Sequence, residues 1–293
     1  MKKVDVIIPM YNRECHIQRS IESVLGQTWS NVDVIVVDDC STDGSADVVR
    51  QIMKRDDRVK LLRSDAHLGA NHARNIGLRY ATSDYIAFQD SDDEWYPEKL
   101  EKQMSLMEQG RYDMVYCRVY RTHITTGKSY VFPKDTLDPN KDIVKQFLHS
   151  CMAMTPSILI KKECFDHVQL DASMKRFQEW SFIISIVQRY RIGLVDEVLM
   201  RANVLADSVS SNIEMGYRYM SRFINDHIEL IKRYPDIHAE FMMRKARYMV
   251  QLGMDVSNEL HIAYQLMPSK EIYDLLILSK EKKYTELCER MLG

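Results

Sequence analysis

Apolar runs and helical stripes alternate along the first hundred residues. Residues 4–9 are apolar apart from Asp5, which reads as a buried strand. Residues 13–26 carry Ile17, Ile21 and Leu25 at helical spacing and predict a helix. Residues 33–37, Val-Ile-Val-Val after Asp33, form a second buried run. Ser41-Thr42-Asp43-Gly44-Ser45 is turn and helix-cap chemistry, and Val48, Val49, Ile52 and Met53 continue it as an amphipathic helix. A short strand over 59–62, a helix over 70–80 and a strand over 85–88 complete the series. Strands alternating with helices imply βαβ units, a mostly parallel sheet and right-handed crossovers.

The middle of the chain is less regular. Residues 97–109 predict a helix that starts at Pro97 and puts Leu100, Met104 and Met107 on one face. Residues 113–120, 157–160 and 192–200 read as strands. Residues 179–190 read as a helix with Trp180, Ile183, Ile184 and Val187 inward. The stretch 123–142 holds Gly127, Pro133, Asp138 and Pro139 and reads as loop. Beyond about residue 205 only helical patterns remain, over 214–233, 238–252, 257–267, 270–278 and 284–292. Their methionines and aromatics recur at helical spacing, as core residues do. The expected fold class is therefore α/β: a doubly wound, mostly parallel sheet with helices on both faces. Residues 1–205 form that domain, with halves 1–110 and 111–205, and 206–293 form an all-helical C-terminal extension.

Composition narrows the function. In 293 residues, 45% are hydrophobic and 28% charged, the profile of a soluble globular protein. The formal net charge of −2 offers no basic excess for a nucleic-acid partner. No apolar run reaches the roughly 20 residues of a membrane span. The opening Met1-Lys2-Lys3-Val4-Asp5 has no signal-peptide core. Six scattered cysteines form no CxxC pair, so free thiols in a reducing cytoplasm are expected.

The candidate chemistry lies where strands end. Asp90-Ser91-Asp92-Asp93 follows the apolar run Tyr85-Ile86-Ala87-Phe88 and Gln89. Carboxylates this close repel one another and resist desolvation unless a cation neutralises them. Oxygen ligands suit Mg²⁺ or Mn²⁺. The plainer alternative is an acidic turn capping the next helix, with Asp93 and Glu94 ahead of Pro97. Three other segments end in polar groups at comparable places. They are Val6-Ile7-Ile8-Pro9-Met10-Tyr11-Asn12, Val34-Ile35-Val36-Val37-Asp38-Asp39-Cys40-Ser41-Thr42-Asp43, and His67-Leu68-Gly69-Ala70-Asn71-His72-Ala73-Arg74-Asn75-Ile76-Gly77. In a doubly wound sheet these positions converge on the carboxyl edge, where ligands bind.

This set resembles the family 2 glycosyltransferases, nucleotide-sugar enzymes of the GT-A fold. The family pattern has a strand ending P-x-Y-N and a strand ending V-V-D-D-x-S-x-D. A helix start G-x-x-x-A-R-N-x-G follows, then D-x-D-D with W-x-P-x-K-L. All four stand here in order; Cys40 departs from the usual Gly, and the turn is expected to survive it. The likeness is strong over residues 3–110, weak over 150–200 and absent from the C-terminal helices.

The resemblance implies an inverting, metal-dependent transfer from a nucleotide-sugar donor. Asp92 would be the main ligand of Mn²⁺ or Mg²⁺, with Asp90 nearer the ribose and sugar. Asp39 would accept from a uracil N–H, favouring UDP over GDP and leaving TDP open. Pro9, Tyr11 and Asn12 would shape the base pocket, with Tyr11 stacked on the ring, and Asn71 and Arg74 would line the diphosphate side. Asp38 and Asp43 are expected to hold turns. Glu179, in Phe177-Gln178-Glu179-Trp180, stands where the family usually has an Asp general base. Trp180 would line the acceptor cleft or fill core, and His149 and Asp171 are weaker acceptor-side candidates. The implied acceptor is a saccharide, lipid-linked in many such enzymes, in bacterial surface polysaccharide assembly. A peripheral site at the inner face of the cell membrane follows from that acceptor. Two rival readings are a catalytically inactive UDP-binding scaffold and a nucleotidyltransferase, though Met10-Tyr11-Asn12-Arg13 is no Gly-rich phosphate loop.

Overall fold

The computed structural model describes residues 2–204 and 212–292, so the expected boundary near residue 205 lies outside the described residues. The chain divides into two compact units. One comprises Met1–Ile143, Cys151–Ser173 and Gln178–Ala206; the other comprises Val144–Ser150, Met174–Phe177 and Asp207–Gly293.

The first unit is built on a nine-stranded sheet. Its opening half is β1 (Val4–Met10), α1 (Ile17–Leu25), β2 (Val32–Asp38), α2 (Ser45–Met53), β3 (Val59–Arg63), α3 (Ala70–Tyr80) and β4 (Tyr85–Phe88). β1 pairs in parallel with β2 and β4, and β2 with β3. Every residue of β1 is buried, as its continuous apolar run requires of a central parallel strand. The order β3-β2-β1-β4 brings the ends of β1, β2 and β4 to one edge. α1 buries Ile17, Ile21 and Val24, but it begins at Ile17, not at residue 13. The intervening residues form a turn in which the His16 and Ile17 N–H groups donate to Arg13 O, and the Arg13 N–H donates to Ser45 Oγ. Helix α3 packs tightly on β1: a Cβ on Gly77 would fall 2.5 Å from Ile7 Cγ2.

The second half is mixed. It adds β5 (Glu94–Trp95), α4 (Lys99–Glu108), β6 (Met114–His123), β7 (Ser129–Phe132), β8 (Ile158–Lys161), α6 (Gln178–Val187) and β9 (Ile192–Val204); α5 (Ile143–His149), between β7 and β8 in the chain, belongs but for Ile143 to the second unit. β8 inserts antiparallel between β4 and β6, and β9 runs parallel to β6. The stretch expected to be loop, 123–142, contains β7, which folds back on β6 around Gly127 at φ 67°. Four-residue Ser-Tyr-Val-Phe is too short to announce itself, and the hairpin partner supplies its order.

The second unit holds α7 (Ile213–Asp226), α8 (Ile228–Ile231), α9 (Pro235–Gln251), α10 (Ser257–Leu266), α11 (Lys270–Lys280) and α12 (Tyr284–Leu292). The helix expected over 214–233 is broken at His227, whose φ of −116° leaves the helical range. Ala246, Met249, Val250, Val256, Leu260, Leu275, Leu276, Leu278, Leu287 and Met291 form its core cluster. No helix among the described residues is long and apolar enough to cross a membrane. All six cysteines are free.

Candidate active site

The edge where β1, β2 and β4 end gathers most of the residues singled out from the sequence. Asp39 follows β2 and is 2% exposed. The Leu68 and Gly69 N–H groups donate to its carboxylate at 3.2 and 2.7 Å, and His67 Nδ1 lies 2.8 Å from Oδ2. Tyr11, just past β1, stacks on His67 with ring centroids 3.8 Å apart. Pro9 lies buried within β1, in register with Val37. Asn12, at φ 49°, staples loops together: its N–H donates to Ser41 Oγ, and its Oδ1 accepts from the Thr42 N–H. Cys40 takes φ 66°, the left-handed region that favours glycine. The turn therefore survives with a side chain on it, and Cys40 Sγ reaches Ser64 O at 3.2 Å. Asp38 accepts from the Ser41 N–H, and Asp43 from the Ser45 and Glu14 N–H groups, so both hold turns.

Carboxylates crowd the end of β4. Asp93 is buried, and burial first, then Asp90 and Asp92, hold its carboxyl well above the usual range. Burial and then Asp90 push Asp92 upward too, and Arg13 opposes this. Arg13 Nε stands 3.4 Å from Asp92 Oδ2. Arg74, 3% exposed, places Nη2 2.6 Å from Asp90 Oδ1 and donates through Nη1 to Asn71 Oδ1 at 2.9 Å. Asn71 in turn donates to Asp171 O. Arg74 is thus a buried partner of Asp90, and Asn71 the residue that orients it. Asp171 accepts from the Ser173 N–H and hydroxyl through its carboxylate.

A hard divalent ion fits this donor set. The side chains are carboxylate oxygens; burial and neighbouring carboxylates disfavour the charged forms of Asp92 and Asp93, and an added cation relieves both effects. Asp92 and Asp90 would hold it. Among the described residues no group of three or more His, Cys, Asp or Glu side chains is arranged to hold an ion unaided. An ion here would need further oxygens from a ligand such as a diphosphate.

Glu179 sits in the first turn of α6, and its Oε1 accepts from the Thr155 N–H at 3.1 Å. Trp180 is 6% exposed, so it fills core and does not line an open cleft. His149 pairs with Glu240 at 2.8 Å within the helical unit. Three contributors lie outside the motif-based assignment: Arg13 stands beside Tyr11 and Asn12, His67 heads the segment that leads into α3, and Thr155 acts through its backbone and leaves no residue-type signal.

A sheet whose first four strands run parallel, with acidic groups at its carboxyl edge, defines an α/β protein of the kind that holds ligands beyond its strand ends. The chain belongs to Glycosyl transferase family 2, which it matches over residues 5–163. It is similar to an uncharacterized glycosyltransferase of Haemophilus influenzae, 42% identical over 116 residues, which are 40% of this chain and 46% of that protein. The match thus spans less than half of that relative. It is also similar to the putative teichuronic acid biosynthesis glycosyltransferase TuaG of Bacillus subtilis, 29% identical over 212 residues, 71% of this chain and 82% of that one. Among solved structures, S. aureus TarS 1-349 in complex with UDP-GlcNAc shares 19% identity at a TM-score of 0.71, covering 99% of this chain and 90% of that one. A mannosyltransferase from Pyrobaculum calidifontis in complex with GDP-Man and Mn²⁺ shares 16% identity at a TM-score of 0.63, covering 99% and 84%. These two likenesses establish the GT-A fold.

Proposed function

We propose that this chain transfers a sugar, with inversion, from a UDP-activated donor to a saccharide acceptor of a bacterial surface polymer. The observation that carries the reading is the crowding of Asp90, Asp92 and Asp93 past β4, one strand from Tyr11 and two from Asp39. An acidic cluster that gains from a cation thus stands on the same edge as the half-exposed ring of Tyr11 and the buried carboxylate of Asp39. That pairing suits a nucleoside diphosphate with its metal. Uracil presents an N–H that Asp39 can accept. The UDP-GlcNAc held by the TarS structure supports the donor class, the Mn²⁺ of the mannosyltransferase supports the ion, and the name of the B. subtilis relative supports the acceptor class.

When bound, a divalent ion at Asp92 and Asp90 would act as a Lewis acid toward the diphosphate leaving group. Arg13 and Arg74 keep the carboxylates oriented and partly neutralised. Glu179 accepts the proton of the acceptor hydroxyl as that oxygen bonds to the anomeric carbon. The bond from that carbon to the diphosphate breaks, and UDP departs with the electron pair. The Thr155 N–H occupies one Glu179 oxygen and leaves the other for the acceptor.

The test separates donor binding from transfer. Glu179→Gln keeps size but cannot take the proton. Its affinity for UDP with Mn²⁺ should match wild type, while transfer falls by roughly 10²–10⁴-fold. Transfer at the wild-type rate would place the base elsewhere. Calorimetry showing equal affinity for GDP and UDP would sink the base assignment at Asp39. A wild type that binds UDP-sugars but turns over with no saccharide acceptor would make the chain a binding scaffold.

A further inference from the structure

His67 makes, within the protein, both contacts that the proposed function gives to the nucleobase. Its ring lies on Tyr11 with centroids 3.8 Å apart and planes inclined by 22°. Its Nδ1 lies 2.8 Å from Asp39 Oδ2. We propose that His67 is a resident competitor of the nucleobase: it fills the base site of the donor-free protein and must swing out before uracil can enter. The proposal rests on the assignment of Tyr11 and Asp39 to the base, and its test is arranged so that the two can fail separately.

Three observations carry it. Tyr11 and His67 are already in van der Waals contact, so no third ring fits between them. Asp39 is 2% exposed and heavily committed, with Leu68 N–H on Oδ1, and Gly69 N–H and His67 on Oδ2. The two backbone donors belong to the turn leading into α3 and keep the carboxylate oriented whatever is bound. The His67 contact is the removable one, because its side chain is 51% exposed and hangs from a turn followed by Gly69 at φ 95°. A base that stacks on this face of Tyr11 and donates an N–H to Asp39 reproduces both interactions, so entry is an exchange of like for like.

The exchange has a measurable consequence. A site populated by its own side chain binds ligand with an affinity reduced by the fraction of time the site is open. A half-exposed charge-assisted pair together with one aromatic stack corresponds to about a five- to twentyfold reduction. The factor is the same for donor and for product UDP, since both must displace the same ring. His67 would thereby limit retention of the product.

Calorimetry with UDP and Mn²⁺ tests this on the full chain. His67→Ala should bind UDP about five- to twentyfold more tightly than wild type. In the NMR spectrum, the His67 ring protons of the free wild-type protein should carry the ring-current shift of Tyr11. They should lose it at saturating UDP. If His67→Ala binds UDP equally or more weakly, or if the His67 shift persists in the complex, the competitor role is overturned. The underlying assignment is tested in the His67→Ala background, where no competitor obscures it. There Asp39→Ala must weaken UDP; unchanged affinity overturns the base site itself. Should that double variant fail to fold in a thermal melt, Tyr11→Ala in the same background decides, its side chain being 38% exposed.

Discussion

Lys99, the basic residue of Trp95-Tyr96-Pro97-Glu98-Lys99-Leu100, is wholly buried. Its Nζ donates to Gln103 Oε1 at 2.9 Å and stands 3.8 Å from the Trp95 ring centroid. Burial pushes the amine down from its ordinary 10.5 to about 8. The folded chain therefore releases this proton more readily than the unfolded chain. Between pH 8 and 10.5 the unfolded state holds more protons, so this group makes stability rise with pH. Below pH 8 both states are charged, and the depression costs folding about 3 kcal/mol. Raising the pH from 7 to 10 should recover about 2.5 kcal/mol of that cost. Lys99→Met keeps the volume and removes the titration. It also leaves Gln103 Oε1 without its donor, a pH-independent loss of about 1–3 kcal/mol. The slope is thus the readout, and the offset is not. Urea unfolding at pH 7, 8, 9 and 10 should show wild type gaining about 2.5 kcal/mol on Lys99→Met across the series. Cys117, pushed up to about 11, stays a thiol in the folded state through this range and largely cancels between the two proteins. Parallel stability curves would refute the reasoning and mean that water reaches Lys99.

Arg74→Met should cost about 3 kcal/mol, since it removes a charge-assisted bond to Asp90 and a bond to Asn71 from a buried site. A double-mutant cycle with Asp90→Asn should return a coupling of about 1.5 kcal/mol or more by urea unfolding, and additivity would show the pair to be unlinked. Gly77→Ala should destabilise by about 1–3 kcal/mol because the new methyl meets Ile7; an unchanged melting temperature would mean that α3 rides farther from β1. Mn²⁺ alone should raise the melting temperature little, whereas Mn²⁺ with UDP should raise it clearly, and EDTA should abolish both that gain and transfer. Transfer that persists in EDTA would remove the ion from the reaction.

The elements that matched their sequence signals best are those whose order comes from local pattern. Residues 70–80 and 85–88 coincide with α3 and β4, because an amphipathic stripe and a short apolar run bounded by polar groups leave one reading. β7 and β5 exist through their partners: Ser129–Phe132 is held by β6, and Glu94–Trp95 by β9. Nothing within two or four residues encodes that. The antiparallel insertion of β8 between β4 and β6 is likewise a property of the assembled sheet. At the site, motif spacing located Asp39, Arg74, Asp90 and Asp92 without saying what they touch. Arg74 reads as a helix residue free to reach a phosphate, yet burial on α3 turns it toward Asp90. Trp180 has equal claims to cleft and core until packing decides.

Lys99 also ties the sheet's interior to the proposed base, which explains why a buried amine is tolerated there. A carboxamide has two ends to satisfy. Gln103 Nε2 donates to Ser157 O at 2.8 Å, and Oε1 accepts a hydrogen bond from Lys99 Nζ. Ser157 closes a 3-10 turn by accepting from the Met154 N–H and donating to Met154 O. The next N–H in that turn, Thr155, is the one that holds Glu179. A methionine at 99 would pack as well and avoid the desolvation of an ammonium group. It would also leave Gln103 half-satisfied, free to rotate away from Ser157 and loosen the turn. Displacement of that turn by even a fraction of an ångström shifts the donor that fixes Glu179, and proton transfer is sensitive to such distances. The buried lysine is thus a cost borne by the fold so that a carboxylate four contacts away keeps its place.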